Sequence, residues 1–286
     1  MFIKSPLNYT GGKYKILEPI FQAFPKEIDT FVDLFAGGFN VGINVNANHI
    51  ICNDHITYII DLYKYFRETD IAIILDEIQG RISEFALTQQ NTEGYNALRK
   101  RYNEKKEIVD FFVLTCYAFN HQIRFNNSRK FNTPFGKERS SYNKNIEKNL
   151  IQFCEALQSK KIDFLNQDFL SFDISPLGEN DLVYCDPPYL ISTGSYNDGK
   201  RGFKDWSEKE ERELLDLLDR LNAGNVRFAL SNVLYHKGME NELLIEWSKK
   251  YHITYIDKSY ANCSYHFKDR AAKTVEVLIT NFRNEG

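Results

Sequence analysis

The tetrapeptide Asp186-Pro187-Pro188-Tyr189 carries the residue types of a site for a flat, amine-bearing group. The apolar run Leu182-Val183-Tyr184-Cys185 precedes it and predicts a short buried strand. Two successive prolines fix φ twice and offer no N–H, so the strand must stop there. A carboxylate, stiff backbone carbonyls and a phenol ring then project from the strand's carboxyl end, where open α/β sheets bind ligands. That set suits adenine, whose exocyclic amine carries two N–H bonds. The same residues also make an ordinary turn with an acidic first position.

Other segments have a similar character. Tyr9-Thr10-Gly11-Gly12-Lys13 exposes N–H groups and a cation before an amphipathic stretch, so an anionic moiety could dock there, although taken by itself the segment reads better as a solvated turn and helix cap. Thr30–Leu34 reads as a strand entering Phe35-Ala36-Gly37-Gly38-Phe39-Asn40-Val41-Gly42, a glycine-rich strand-to-helix turn that lets a ligand approach the backbone. Its spacing is not G-x-G-x-x-G, which disfavours a nicotinamide dinucleotide. A second strand, Ile50–Asp54, ends in an acid placed to accept both hydroxyls of a ribose, or else to cap the next helix. Asp168 and Phe169 follow a third strand; they could meet a purine by hydrogen bond and stacking, or form a turn over a core ring.

Between residues 120 and 150, seven basic side chains face two acids, a local charge of +5 on a chain of net charge −3. Within it, Asn120 to Lys137 alternates about an Asn-Asn-Ser turn and predicts a β-hairpin. Basic residues interleaved with Asn, Gln and aromatics serve phosphate contacts and base-edge readout. Ser192 to Lys204, rich in glycine and charge, suits a lid or a DNA-contacting loop beside the strand tip.

The elements that must position these residues form a doubly wound α/β pattern. Seven strand candidates alternate with helices, including a Ser207/Glu210 capping box ahead of a leucine stripe at 214, 215, 218 and 221. From Thr57 to about Lys160 helical periodicity dominates. At 286 residues, 43% hydrophobic and 26% charged, the composition is that of a soluble globular protein. Five cysteines without a CxxC pair and no leader-like apolar start suggest free thiols in a reducing cytoplasm. The six histidines lack metal-ligand spacing with them, so no metal is expected.

Together, YTGGK at 9–13, FVDLFAGG at 31–38, Asn53-Asp54, the RFN…FNTPFG segment at 124–136 and DPPY at 186–189 resemble a Dam-family DNA adenine methyltransferase. The order, with the recognition region ahead of DPPY, is similar to the α group, and 186–247 resembles the T-even phage branch. The resemblance implies an α/β fold with a seven-stranded, Rossmann-like sheet that binds S-adenosylmethionine. Residues 1–56 and 160–286 would be the catalytic domain, and 57–159 a mainly helical target-recognition insertion carrying the hairpin. It implies base flipping of an adenine in a short duplex site, GATC being usual for the family; the enzyme could accompany a restriction nuclease that acts on the same site without stable binding, serve a phage, or act alone.

Carried over by residue, Asp186, Pro187, Pro188 and Tyr189 would be catalytic. Tyr9, Lys13, Phe35, Ala36, Gly37, Gly38, Phe39, Asn40, Asp54, Asp168, Phe169 and Asp186 would hold the cofactor. Asn120, Gln122, Arg124, Asn126, Asn132, Pro134, Lys137 and Arg139 would meet DNA. Two positions depart from the family: Gln122 stands where relatives carry an apolar residue, and Glu138 where the phage enzyme has an arginine. Rival readings are methylation of RNA adenine or of a protein glutamine, where Asn usually replaces Asp186, and a catalytically silent DNA-binding sensor.

Overall fold

The computed structural model describes residues 2–126, 128–191, 206–256 and 274–283. Five parallel strands, β1 (Thr30–Asp33), β2 (His49–Asn53), β3 (Ile162–Leu165), β4 (Leu182–Cys185) and β5 (Arg227–His236), lie in the order β3-β2-β1-β4-β5. Antiparallel β8 (Thr274–Thr280) pairs with β5, and β7 (His252–Tyr255) closes the far edge. These are the seven strands anticipated from pattern. The unanticipated β6 (Met239–Glu240) pairs back on β5 through Lys237-Gly238, whose φ values of 48° and 85° suit a tight hairpin turn.

Strand side chains alternate between two cores, as a pleated sheet requires. Phe31, Ile50, Leu182, Tyr184 and Leu278 join one core, with α1 (Leu17–Ala23), α2 (Thr57–Glu68) and α6 (Lys144–Ser159). Val32, Val183, Cys185, Phe228 and Val277 join the other, beneath α7 (Glu208–Ala223) and α8 (Glu242–Ser248). The α7 capping box forms as expected, with Ser207 N donating to Glu210 at 3.0 Å.

The expected helix after the glycine turn does not form; residues 34–44 are turns closed by single helical-type bonds such as Ile43 N to Phe39 O. Phe39 is held at φ 54° with its ring against Gly42, where a Cβ would sit 2.1 Å from the ring. Asp33 fixes the same turn by accepting from Gly42 N at 3.0 Å.

Between α2 and α6 stand α3 (Ile71–Glu84), α4 (Thr92–Lys105) and α5 (Ile108–Tyr117). Fully buried Asp110 joins them: Arg81 Nε reaches it at 2.9 Å and Arg101 Nε at 2.7 Å, while Glu84 and Glu107 flank the two arginines. Removing one partner of such a cluster strands a buried charge.

Candidate active site

The chain runs outward from β1 through β2 to β3, then lays β4 on the other side of β1. Strand order therefore reverses between β1 and β4, which opens a crevice at their carboxyl ends. Asp186 leaves β4 there, opposite the glycine turn that leaves β1.

Lys13 arrives from the N-terminal segment. It is 5% exposed, and its Nζ lies 2.8 Å from Asp186 Oδ2 and 3.5 Å from Glu276 Oε1 on β8. It also donates to Gly11 O at 2.9 Å and stands 5.1 Å from the Tyr189 ring centre. The anion that Lys13 meets is thus the chain's own carboxylate. The Tyr189 hydroxyl lies 3.0 Å from Asp186 Oδ1 and 3.1 Å from Glu276 Oε1. Burial raises the Asp186 carboxyl above its ordinary pKa; Lys13 opposes that shift and Glu276 adds to it. Pro187 is buried and Pro188 exposed beside them.

Across the crevice, Gly37 holds φ +46°, and a Cβ there would fall 2.8 Å from the Tyr9 ring. Only bare backbone fits under Tyr9. Asp54, 6% exposed, accepts from Gly37 N at 2.8 Å on Oδ2 and from Ile56 N at 2.9 Å on Oδ1, with His55 Nδ1 3.5 Å from the latter oxygen. A carboxylate oxygen has two lone pairs, so Oδ2, with its one bond to Gly37 N, can accept from a ligand hydroxyl as well. Phe35, Phe169 and Trp206 form an aromatic trio with ring centres 5.4 to 5.7 Å apart. Trp206 is fixed by its Nε1 donating at 2.7 Å to Glu211, a buried acid that also accepts from Asn232 and Asn241.

Tyr9, Lys13, Phe35, Gly37, Gly38, Asp54, Phe169, Asp186 and Tyr189 are therefore gathered by these contacts. Ala36 is buried, with its N–H on Asn53 O at 2.9 Å. Phe39 instead buries its ring against Tyr63 and Phe153, Asn40 accepts from Ser5 N, and Asp168 caps its own short turn through Leu170 N. Glu276, Trp206 and Glu211 were not singled out from sequence. The loop expected at 192–204 lies outside the described residues.

The hairpin is an antiparallel pair held by the bridge Phe125↔Phe131, with Asn126 accepting from the N–H groups of Ser128 and Lys130 to close its turn. Its inner face is anchored: Phe125 stacks on Tyr58 at 4.4 Å, Asn103 bonds Phe131 through both N–H and C=O, and Tyr95 donates to Thr133 O. Its outer face carries Arg124, Asn132 and Pro134, with Lys137 and Arg139 just beyond. Arg139 lies over the Phe119 ring at 4.7 Å. At its root Asn120 and His121 hold positive φ, 52° and 55°, and the Asn120 carbonyl accepts from Asn8. The buried atoms His121 Nδ1 and Gln122 Oε1 have no hydrogen-bond partner among the described residues.

Comparison with known proteins identifies the family. Over 283 residues the chain is 53% identical to the type II methyltransferase M.FokI of Planomicrobium okeanokoites, covering 99% of this chain and 43% of that protein. It is 46% identical to the modification methylase StsI of Streptococcus sanguinis, covering 99% of this chain and 44% of the relative. The DNA adenine methylase of Escherichia coli strain K12 is 25% identical, over 90% of this chain and 88% of that enzyme. The chain thus spans less than half the length of the first two relatives. A family model for D12 class N6 adenine-specific DNA methyltransferases matches residues 9–262, and the chain belongs to that family.

Proposed function

We propose that this chain moves a methyl group from S-adenosylmethionine to the exocyclic amine of an adenine in a short duplex DNA site. The observation that carries this reading is the pairing of Asp186 with Lys13 and Tyr189 at the switch point, facing a bare glycine turn.

The residues fit the donor. Asp54 Oδ2 can accept from a ribose hydroxyl, the aromatic trio of Phe35, Phe169 and Trp206 suits a purine, and the backbone at Gly37 and Gly38 admits the amino-acid arm beside Tyr9. When bound, the donor supplies an electrophilic methyl on a sulfonium. Adenine's amine is a weak nucleophile, because its lone pair is delocalised into the ring. Asp186 and the Pro187 carbonyl accept its two N–H bonds and let the nitrogen pyramidalise. Positive charge developing on that nitrogen meets acceptors already in position. Alignment in the crevice can contribute up to about 7–11 kcal/mol. In a duplex the amine is paired, so the base must be flipped, and Tyr189 offers its ring as a stacking surface.

The segment 57–159 acts as the target-recognition unit, with 1–56 and 160–286 as the catalytic unit. Arg124, Asn126, Asn132 and Pro134, with Asn120, Gln122, Lys137 and Arg139, meet the duplex. Names such as modification methylase among the relatives support a cognate restriction nuclease as functional partner, and DNA as substrate implies action in the cytoplasm.

A labelled-methyl assay tests this. Label should enter duplex DNA at adenine N6 and leave RNA and protein amides unmarked. A random duplex library then reveals the site. Label in RNA or protein alone, or in none of the three, overturns the reading.

A further inference from the structure

A charged residue on an inner position of a central strand calls for an explanation. Glu276 shares its face of β8 with Leu278, which packs into the core, while Val275, Val277 and Ile279 fill the opposite core. It is 28% exposed, and its neighbour across the ladder is Val233. Immediately beyond that pair the register slips, Leu234 being skipped before Tyr235 meets Val275. Bulges of this kind redirect side chains near active sites. Here the carboxylate meets the two donors that occupy Asp186.

Those donors are shared. The Tyr189 hydroxyl has one hydrogen, and two carboxylates among the described residues lie at nearly equal range, Asp186 Oδ1 at 3.0 Å and Glu276 Oε1 at 3.1 Å. Rotation about the C–O bond moves that hydrogen from one acid to the other without displacing any heavy atom. Lys13 likewise lies between Asp186 at 2.8 Å and Glu276 at 3.5 Å. An Asp186 oxygen that accepts from Tyr189 is less able to accept from an incoming amine.

We infer that Glu276 is a positioning residue for the amine acceptor: it takes the Tyr189 hydroxyl hydrogen and part of the Lys13 charge, leaving Asp186 open to the adenine amine. This rests on the function proposed above. Without Glu276, Tyr189 and Lys13 stay on Asp186 and compete with the substrate.

The test is single-turnover methyl transfer to duplex DNA by the full chain and by Glu276→Gln, with donor affinity from calorimetry and duplex affinity from anisotropy. Transfer should slow about tenfold or more while both affinities stay within about twofold, a split between chemistry and binding that a purely structural role does not give. The pH profile adds a second readout. Among the described residues, the groups facing Asp186 are Lys13, Tyr189 and Glu276, with Asp33, Tyr184, Cys185 and Tyr9 around them. Glu276 holds the Asp186 carboxyl up, so Glu276→Gln should move the acid limb of the rate profile to lower pH. In a Tyr189→Phe background, which removes the shared hydrogen, Glu276→Gln should cost less than in the wild type.

If Glu276→Gln does not fold, Glu276→Asp carries the test, because it keeps the charge but withdraws it by one methylene. Slowed transfer at unchanged donor affinity supports the inference. Wild-type rate and an unmoved acid limb overturn it, as does a loss matched by equal loss of binding. The two failures stay distinct: a wild type that methylates no adenine sinks the proposed function, whereas a working wild type with an indifferent Glu276→Gln variant sinks only this step.

Discussion

The sheet tip and the hairpin handle polar groups in opposite ways. At the tip, Lys13, Asp186, Tyr189 and Glu276 satisfy one another at 2.8 to 3.5 Å. At the hairpin, one face is fixed by a ring contact to α2 and by hydrogen bonds to α4, while at the root His121 Nδ1 and Gln122 Oε1 have no partner among the described residues and the outer face carries Arg124, Asn132, Lys137 and Arg139. Chemistry rewards groups that are oriented before the substrate arrives. Base reading needs groups whose bonding is still to be made. The contrast therefore predicts that mutations in the two regions fail in different assays.

The sharpest break is Asp186→Ala. Methyl transfer should fall by at least ~10³-fold, while duplex affinity measured by anisotropy stays within a few-fold. Equal loss of binding and turnover would remove Asp186 as amine acceptor. Next comes Asp110→Ala, which leaves Arg81 and Arg101 without their buried partner and should cost about 3–5 kcal/mol in denaturant unfolding. Arg124→Ala should then weaken preferred-site binding by ~1–3 kcal/mol and relax selectivity, whereas Lys137→Ala should weaken all sequences alike and reduce the salt slope by about 1. A uniform effect from Arg124 would reduce the hairpin to a phosphate clamp.

The mildest prediction concerns the floor of the tip. Burial drives the Asp33 carboxyl up to about 8, so the folded state holds a proton that the unfolded chain gives up near the ordinary carboxylate value. Stability from this group is complete below that ordinary value and is lost as pH rises through about 8. Asp33→Asn should therefore be more stable than the wild type at pH 8.5, with the difference shrinking toward pH 4 in thermal melts.

Much of this was legible in the sequence because local rules decided it. Leu182–Cys185 had to be a buried strand, two prolines had to end it, and the acid had to project. Phe125, Phe131 and Thr133 alternate with outward Arg124, Asn132 and Pro134, as the hairpin pattern anticipated. What remained hidden was decided by tertiary contacts. The helix expected after Gly38 gave way because Phe39 folds back onto Gly42. Glu276 looked like one polar residue in an alternating strand, and only the register across β5 brings it to Tyr189. Trp206 follows a stretch of sequence rich in glycine and charge, so nothing local announced its stacking on Phe35 and Phe169.

Residues 13, 186 and 276 meet within one hydrogen-bonded cluster, although 173 and 90 positions separate them along the sequence. Such distant pairings form late, since each must first close a long loop. During synthesis the corner cannot assemble until β8 has left the ribosome and found its slot between β5 and β7. A half-made chain can display its glycine turn and even its basic hairpin, but the cluster of Lys13, Asp186, Tyr189 and Glu276 is still incomplete.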